Sequence, residues 1–419
     1  MKDSVYTLIA IPIFLGFVLL EYIYQKRKHQ KHYRLNDALT NLNIGIGHIV
    51  FNLFTRAFIL GAFFWVSERV AFFNIPSGLV SVITILIIYD FCFYWAHRMS
   101  HEINVLWGAH VVHHQSEDYN LTVALRQSWI HSSLAFIFFM PLAFLGIDII
   151  SLGIATSINS FYQFWIHTQS IKKLPNWFEY IFNTPAHHRV HHGINPKYID
   201  KNHGGMFIIW DRMFGTFMEE EETPTFGVTK NMNSWNPVFA NIQYYIELIK
   251  IGKPMEIKNK IRLWFGRPGW LPEEMGGQQF APEVNESKYQ KYDAKASKSQ
   301  NVYVFTQFVF ILLGACSFIY FFDALSTPFQ IGGLLFVLSS TIICSGILEQ
   351  KPWVKYLEII RIPVVVFFLN ALYYVQFSNW LIVMAVCSII LGLYFLSWFV
   401  INTYYNTSVM ELVKTRGKN

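Results

Sequence analysis

The chain has 419 residues, of which 53% are hydrophobic, 18% aromatic and only 14% charged. Together with a mean hydropathy of +0.31, this composition argues against a soluble protein and predicts several apolar segments of bilayer-spanning length. The formal net charge of +6 is small for the length and divided among separate clusters. It excludes an extended nucleic-acid-binding surface, and we predict no nucleic-acid partner.

The four cysteines argue against two further kinds of site. Cys92, Cys316, Cys344 and Cys387 lie inside apolar stretches and show neither CxxC nor paired spacing. We therefore predict no disulfide framework and no cysteine zinc site, and interpret these residues as buried, unreactive thiols.

Nine apolar stretches approach the length that crosses a bilayer. They lie at about 5–24, 43–66, 78–96, 133–148, 150–167, 302–322, 331–349, 362–378 and 380–401. The fourth and fifth are short and joined only by "GIDII", so they either cross fully or turn back within the bilayer. The chain is therefore predicted to be all-α, a polytopic membrane helical bundle.

The orientation follows from the basic loops, because loops rich in Lys and Arg stay in the cytoplasm. The loop "QKRKHQKHYR" at 25–34 follows the first span and places the N-terminus outside. Counting crossings from there brings residue 97, residue 167 and the polar stretch 170–300 to the cytoplasmic side. We predict an integral, multi-pass protein with a histidine-rich cap and its active site on the cytoplasmic face.

Composition divides the chain into four predicted parts. N-terminal membrane spans occupy 1–76, a histidine-rich catalytic region 77–220, cytoplasmic interfacial helices and a linker 221–300, and a four-span membrane region 301–419. Within the third part, "WNPVFANIQYYIELIKIGKPMEIKNKIRLWFGRPGW" has the Trp, Tyr and basic residues that suit a membrane interface. An amphipathic segment packed on the cap fits the same pattern.

Histidines are concentrated in "HRMSHEINVLWGAHVVHH" at 97–114 and "HHRVHH" at 187–192. Residues three and four apart share one face of a helix, so each set can aim several imidazoles at a common point. Eight histidines are spaced in this way: His97, His101, His110, His113, His114, His188, His191 and His192. Eight ligands exceed what one metal ion can hold, which predicts two ions.

Other histidines are assigned by their surroundings. His167 ends the fifth span at the same membrane face and is the ninth predicted ligand, while His187 lies four residues before His191 and is a possible tenth. His48 and His131 stand alone in apolar surroundings and are interpreted as hydrogen-bonded core residues or neighbours of the site. An all-histidine site without thiolates favours iron handling dioxygen over structural zinc.

The four histidine motifs "HRMSH", "HVVHH", "WIHT" and "HHRVHH" resemble those of the fatty acid hydroxylase and sterol desaturase superfamily of membrane non-haem di-iron oxygenases. The longer stretches "HEINVLWGAHVVHHQSEDYNLTVALRQS" and "NTPAHHRVHHGINPKYIDKNHGGMFIIWDRMFGTF" are similar to its ether-lipid-cleaving branch, the alkylglycerol monooxygenases. The similarity covers roughly residues 90–220 and identifies 77–220 as a fatty acid hydroxylase-like catalytic domain.

The resemblance implies that all nine histidines named above are ligands of two iron ions. It also implies that Glu102, next to the first motif, is a catalytic residue that supports a ligand; a solvated helix-surface Glu is the alternative. Gln163 stands where plain fatty acid hydroxylases carry a histidine, so a ten-histidine set is in doubt. His203 in "KNHGG" is interpreted as a pocket residue rather than a ligand.

The function implied by the resemblance is hydroxylation of a lipid C–H bond. The narrower expectation is attack at the carbon next to the ether oxygen of alkylglycerols, with cleavage to an aldehyde and a glycerol. The expected partners are a lipid substrate from the bilayer, dioxygen, and an electron donor that is tetrahydrobiopterin or another reductant. Two alternatives remain: a fatty acyl, sterol or carotenoid-like hydroxylase or desaturase, and a non-enzymatic membrane metal-binding or transport protein.

Overall fold

The computed structural model describes residues 2–73, 75, 78–284, 289–294, 296–374 and 381–401. Within these residues the fold is helical, with two isolated β-bridges at Phe182–Phe207 and Gly193–Phe226. The predicted all-α class is therefore confirmed. The chain forms two compact units, one comprising Ile9–Tyr292 and the other Met1–Leu8 with Asp293–Asn419. The predicted four-part division stays a prediction, and its first boundary, at 76 and 77, lies outside the described residues.

The larger unit contains the histidines, and its first three helices are long and apolar, while the helices that follow are shorter. In chain order they are α1 (Lys2–Arg27, of which residues from Ile9 belong here), α2 (Leu35–Val70), α3 (Leu79–Glu102), α4 (Asn104–His114), α5 (Leu121–Ala124), α6 (His131–Ala135), α7 (Met140–Phe144), α8 (Ile149–Trp165), α9 (Asn176–Ile181), α10 (Pro185–His191), α11 (Ile209–Phe214), α12 (Pro237–Gly252) and α13 (Ile257–Phe265).

Six of the described helices are long and apolar enough to cross a membrane. They are Val5–Arg27, Leu35–Val70, Val80–Glu102, Lys298–Ala324, Thr327–Leu348 and Ile382–Val400. The chain is therefore an integral membrane protein, as its composition predicted.

The fourth and fifth expected spans are shorter than predicted. The fourth is divided into α6, a 3₁₀ turn at Phe136–Phe139 and α7, because Pro141 begins a new helix there. The fifth, α8, has 17 residues and spans about 26 Å. A hairpin changes sides twice or not at all, so the expected orientation of the flanking segments is the same in both cases.

Helix α2 begins eight residues before the expected second span, at Leu35 instead of 43. Its first turns are polar and buried, since Asn41 Nδ2 donates hydrogen bonds to Ser116 Oγ (3.2 Å) and Thr122 Oγ1 (3.0 Å). This extension packs against the segment that follows α4. It thereby joins a membrane helix to the histidine-bearing region.

The smaller unit contains α14 (Lys298–Phe321), α15 (Thr327–Leu348), α16 (Val354–Tyr374) and α17 (Leu381–Val400). Helix α16 carries Glu358 and Arg361, whose side chains are buried and paired at 2.6 Å. Gln307 and Tyr303 complete the network, because Arg361 donates to Gln307 Oε1 and Tyr303 donates to Glu358. The eighth expected span reached 378, and residues 375–380 lie outside the described part of the chain.

Candidate metal centre

Two groups of buried histidines lie side by side in the larger unit. Within each group, one possible ligand atom per residue lies within 4.8 Å of all the others. The first group comprises His97, His101, His110, His114 and His191, and the second His113, His167, His188 and His192. These are the nine histidines predicted as ligands, and each is at most 7% exposed.

Helices α4 and α10 each contribute to both groups. In α4, His110 and His114 are four residues apart and face the first group, while His113 is rotated about 60° from His110 and faces the second. In the same way His191, on α10, belongs to the first group and His188 to the second. The two groups are therefore adjacent, and the rings of His114 and His192 stack across their boundary at 4.4 Å.

The rings of the first group are arranged approximately as a square pyramid. Four rings form a closed cycle, with centroid distances of 4.7 Å for His97–His110, 4.9 Å for His110–His114, 4.8 Å for His114–His191 and 4.4 Å for His191–His97. One diagonal, His110–His191, is 6.4 Å. The ring of His101 lies 4.8–5.4 Å from each of the four and forms the apex. Such a set leaves one direction, opposite His101, without a ring from the group.

The second group is held by short distances between Nε2 atoms. His167 Nε2 lies 3.1 Å from His113 Nε2 and 2.9 Å from His188 Nε2. The ring of His192 packs 4.7 Å from His113 and 4.8 Å from His188. Four nitrogens therefore converge on one point.

Backbone carbonyls orient four of the nine rings. Nδ1 of His97 lies 2.8 Å from the carbonyl oxygen of His203, and Nδ1 of His113 lies 3.0 Å from that of Arg126. Nδ1 of His167 contacts the Gln163 carbonyl at 2.6 Å, and Nδ1 of His191 the Lys201 carbonyl at 2.9 Å. A carbonyl can only accept, so each Nδ1 donates its hydrogen. The lone pair of each ring is then on Nε2, which is the arrangement found in metal-binding histidines.

The inner nitrogens fit a metal ion better than hydrogen bonding among themselves. Nε2 of His101, His191 and His192 is buried without a hydrogen-bond partner among the described residues. Buried polar atoms are normally paired, so unpaired acceptors that converge on one point indicate a cation that the site is built to hold. The residues present therefore fit one metal ion in each group.

Burial also keeps these histidines in the form that binds metal. Removal from water is the main cause that lowers the pKa of four of these histidines well below the ordinary value of 6.5, and the neighbouring imidazoles are the second. The four are His110, His114, His188 and His192. Burial lowers the pKa of His113 to about 4. The imidazoles of the metal-free site are thus neutral at physiological pH, and neutral imidazole is the ligand.

Glu102 lies at the end of α3 but points to arginines. Its Oε1 accepts a hydrogen bond from Arg98 Nε at 2.8 Å and its Oε2 one from Arg267 at 3.2 Å. It belongs to neither histidine group. The predicted catalytic role stays a prediction, and the contacts favour positioning of the α3 terminus over ligation.

The remaining histidines have distinct places. His187 caps the start of its own helix, because its Nδ1 accepts the backbone N–H of Thr184 at 3.3 Å, and it lies outside both groups. His131 Nε2 lies 2.9 Å from Ser100 Oγ, and His48 Nδ1 donates to the Ser128 carbonyl at 2.6 Å. His203 is fully buried beside the first group, with its ring 5.0 Å from that of His101.

A loop at 200–205, of which the sequence singled out only His203, supports the first group. Asp200 and Asn202 have positive φ angles of 56° and 55°, a conformation that costs energy unless other contacts impose it. Asn202 is held by its backbone N–H, which donates to the Thr216 carbonyl at 3.0 Å. Asp211 fixes the next two residues by accepting the backbone N–H groups of His203 and Gly204, both at 2.7 Å. The run of Asn, Asp and Gly in "YIDKNHGG" was the available signal for such a turn.

The same loop brings a carboxylate to the first group. Asp200 Oδ1 lies 3.6 Å from Nδ1 of His101. Burial and the neighbouring Glu102 raise the pKa of Asp200 to about 6. A carboxylate beside a ligand histidine orients the ring and raises its basicity.

The segment that follows, at 205–208, and the start of α11 are fixed by a carboxylate inside α3. Asp90 is fully buried and accepts hydrogen bonds from the backbone of Met206 (2.6 Å) and Phe207 (3.1 Å) and from Trp210 Nε1 (2.9 Å). An ionisable residue inside a membrane helix is costly and marks a site of structural or functional importance. Here it joins the His203 segment to the helix that carries His97.

A cavity of about 410 Å³ opens onto both groups. Its lining includes His114 and His191 from the first group and His192 from the second, together with Trp107, Asp200 and Arg267. The remaining wall is formed by loops at 193–199, 227–229 and 268–282. A cavity of this size is in the range that binds small organic molecules.

Comparison with known proteins supports this description. The fatty acid hydroxylase family matches residues 82–216, a range that includes all nine histidines. The chain is 34% identical to alkylglycerol monooxygenase of Homo sapiens over 364 residues, which is 84% of this chain and 80% of the relative. It is 37% identical to alkylglycerol monooxygenase of Danio rerio over 309 residues, 72% of this chain and 68% of the relative.

More distant similarity is confined to a shorter region. Lathosterol oxidase of Mus musculus is 29% identical over 156 residues, which is 34% of this chain and 48% of the relative. No solved structure matches the chain.

Proposed function

The chain belongs to the alkylglycerol monooxygenase family, and on that premise we propose that it is a membrane lipid monooxygenase whose two histidine groups each hold one iron ion. The observation that carries this proposal is the pair of adjacent, buried groups of five and four histidines. Iron is favoured over zinc because the donor set is entirely imidazole and lacks the thiolates of structural zinc sites.

When bound, the iron pair supplies the activation of dioxygen, with two electrons from an external donor. The protein's own part is to hold the ligands and exclude water. The carbonyls of His203, Arg126, Gln163 and Lys201 fix four rings in one tautomer, and the burial of all nine rings shields the site from bulk solvent.

The proposed substrate is an ether-linked glycerolipid, and the proposed reaction is hydroxylation of the chain carbon next to the ether oxygen. One oxygen atom of O₂ enters that C–H bond and the other leaves as water, with two electrons and two protons taken up. The resulting hemiacetal breaks its C–O bond to the glycerol oxygen and gives a fatty aldehyde and a glycerol. Relatives that match over most of the chain are named as monooxygenases of alkylglycerols, which supports the proposed substrate and reaction class.

We assign the electron donor to the cavity of about 410 Å³. Its walls come from loops and from α3 and α4, and they combine a larger apolar surface with a few polar groups, which suits a small molecule with a flat ring and polar edges. Trp107 offers a surface on which a ring can stack. Arg267 can donate hydrogen bonds to a ligand, and the carboxylate of Asp200 can accept them. A reduced pterin such as tetrahydrobiopterin, or another small reductant, fits this description.

The cytoplasmic side is the proposed location of the centre. The support is the basic loop at 25–34, which follows α1. His101, at the end of α3, is separated from that loop by the two long helices α2 and α3, an even number of crossings. The loop and the histidine centre are therefore expected on the same side.

A defined lipid panel tests the proposed function. The protein, loaded with ferrous iron in nanodiscs, is given an alkylglycerol, its ester-linked counterpart of equal chain length, or a sterol, with tetrahydrobiopterin and oxygen. We expect a fatty aldehyde from the ether lipid alone. Oxidised acyl chains or sterol with the ether lipid intact would point to the alternative hydroxylase or desaturase. No oxidation of any lipid by iron-loaded protein would favour a non-enzymatic metal-binding role.

The panel needs a matched histidine control. His114→Ala removes a member of the first group and is expected to abolish the aldehyde product. His29→Asn changes an exposed histidine outside both groups and keeps the positive φ angle of 54°, which Asn tolerates. We expect full turnover from that variant.

A further inference from the structure

An exposed apolar stripe runs along α13, a helix that also carries three basic residues. Ile257, Ile261 and Phe265 are 73%, 57% and 67% exposed and lie four residues apart. At 100° per residue they cover about 80° of the helix circumference. Large apolar side chains grouped in this way are unusual on a surface that faces only water.

The opposite side of α13 is fixed to the protein. Leu263 is 2% exposed and packs with Leu248 of α12 and with Met255 in one apolar cluster. At the Ile257 edge of the stripe, Trp264 stacks on Tyr245 of α12 at 5.9 Å. The exposed stripe is therefore presented rigidly, as the outer face of a packed helix pair.

Basic side chains border the stripe on both sides. Lys258 and Arg262 follow its edge at Phe265. Lys260 lies beyond the other edge, separated from Ile257 on the helical wheel by Trp264. Between Lys250 and Arg267 the chain has six basic residues and one acidic residue. An apolar stripe with cationic edges is the pattern of a helix that lies in the interface of a negatively charged membrane.

We propose that α13 docks flat on the headgroup region of a bilayer leaflet that contains anionic lipids. The occupant is a lipid surface rather than a protein, because three side chains in one row form a narrow ridge and not a groove. The rest of the larger unit also crosses a membrane, so a bilayer is always within reach. Each exposed apolar side chain enters the acyl boundary, while each cation contacts lipid phosphate or carboxylate.

Docking of α13 would reach the metal centre through direct hydrogen bonds. Asn104, the first residue of α4, donates from its backbone to the Gly266 carbonyl at 2.9 Å and from its side chain to the Leu263 carbonyl at 2.7 Å. Tyr244 of α12 donates to Asn104 Oδ1 at 2.5 Å. Helix α4 carries three of the nine histidines. The lipid surface therefore sets the depth of the centre through α13.

Photocrosslinking tests this docking without requiring turnover. A benzophenone-bearing amino acid is placed at position 261, or at position 221 as an exposed control on a polar loop, since Glu221 is 59% exposed. The full-length, iron-loaded protein is illuminated in nanodiscs of phosphatidylcholine alone or with phosphatidylserine, and the adducts are identified by mass spectrometry. We expect lipid adducts from position 261 and few from position 221, with phosphatidylserine enriched above its share.

A charge reversal tests the cationic edge. Lys258→Glu with Arg262→Glu is expected to lower phosphatidylserine adducts at position 261 by about fivefold or more, since each basic residue favours an anionic surface appreciably. Lys172→Glu with Lys173→Glu, on an exposed segment elsewhere, is the matched control and is expected to leave those adducts unchanged. Adducts to protein instead of lipid, or lipid adducts indifferent to lipid charge and to the reversal, would overturn the proposal.

The docking and the proposed function can fail independently. Lipid adducts at position 261 report on α13 alone, while the lipid panel reports on the chemistry of the histidine groups. Preserved adducts with an inactive lipid panel would contradict the function and leave the docking intact. The reverse result would contradict the docking alone.

Discussion

Nδ1 of His97 donates a 2.8 Å hydrogen bond to the backbone carbonyl of His203, so Nε2 of His97 faces inward, 3.0 Å from Nε2 of His110. The accepting carbonyl belongs to a loop that Asp211 fixes through two backbone N–H groups. A buried carboxylate that touches no histidine ring of either group therefore controls the orientation of a predicted ligand.

Substitution of Asp211 tests this control. Asp211→Asn replaces one accepting oxygen by an NH₂ group that faces the backbone N–H of Gly204, so one hydrogen bond is lost and two donors oppose each other. We expect metal affinity at the first group to fall by about 10- to 100-fold, measured by competition with a chelator. Asp148→Asn makes the same substitution at an exposed helix N-cap outside both histidine groups, where the remaining side-chain oxygen still accepts a hydrogen bond, and is expected to leave the affinity unchanged. Equal affinities for both variants would contradict the role of Asp211.

The two groups predict two metal ions that can be lost separately. His101→Ala removes the apex of the first group, and His192→Ala removes one of four ligands of the second. We expect about two iron ions per chain in the wild-type protein and about one in each variant, measured by elemental analysis with Mössbauer spectra. Loss of both ions from each single variant would indicate one cooperative centre. One ion per wild-type chain would contradict the two-ion assignment.

The lowered pKa values predict that metal binding releases few protons. At pH 6, seven histidines with the ordinary pKa of 6.5 would together lose about five protons on binding metal. Burial lowers the pKa of His113 to about 4, and those of the other six ligands outside α3 well below 6.5, so these rings are already neutral at pH 6. We expect release of fewer than about one proton, measured by titration calorimetry in buffers of different ionisation enthalpy.

The same shifts determine how the metal-free protein responds to acid. A histidine whose pKa is lower in the folded state binds fewer protons than in the unfolded state, so stability is full above pH 6.5 and falls below it. Thermal unfolding of the metal-free protein should therefore move to lower temperature as the pH decreases from 7 to 5. A constant unfolding temperature over that interval would contradict buried, neutral histidines.

The backbone and the side chain of Gln163 bind different partners, so their contributions to the second group can be separated. Its carbonyl accepts from His167 Nδ1, while its side-chain amide donates to Asn159. Gln163→Leu removes the amide but keeps the carbonyl. We expect iron content at the second group to change less than about twofold, because the orienting hydrogen bond is retained. A loss of that iron would show that the side chain, not the backbone, supports His167.

The spacing of the histidines was enough to predict eight of the nine side chains, because residues three and four apart share a helix face. The ninth, His167, was predicted from its position at the end of an apolar span. Spacing could not assign the nine histidines to two groups, since that depends on how α3, α4, α8 and α10 pack. The carbonyls that orient the rings have no sequence signature, as every residue has one. The strained Asp200–Asn202 turn was hidden for a related reason: only packing shows which non-glycine residues adopt a positive φ angle.

The sequence predicted correctly that the chain has several membrane-spanning helices, but it predicted nine, and six of the described helices are long and apolar enough to span. Hydropathy located the long apolar helices, but it joined residues 133–148 into one span where Pro141 and a 3₁₀ turn divide the helix. It also missed the polar start of α2, because buried asparagines such as Asn41 resemble loop residues when their partners are unknown. One arginine partner of Glu102 could not be predicted for the same reason, since Arg267 is 165 residues away in the chain, whereas Arg98 is four residues before Glu102 on the same helix.

The most direct test of the central claim is the fate of isotopically labelled oxygen. Iron-loaded protein is given an alkylglycerol and ¹⁸O₂ in unlabelled water, and the aldehyde is trapped at once by borohydride reduction. Insertion at the carbon next to the ether oxygen predicts one ¹⁸O atom in the recovered fatty alcohol and none in the glycerol. Product without ¹⁸O, or label in the glycerol instead, would contradict a monooxygenase that acts at that carbon.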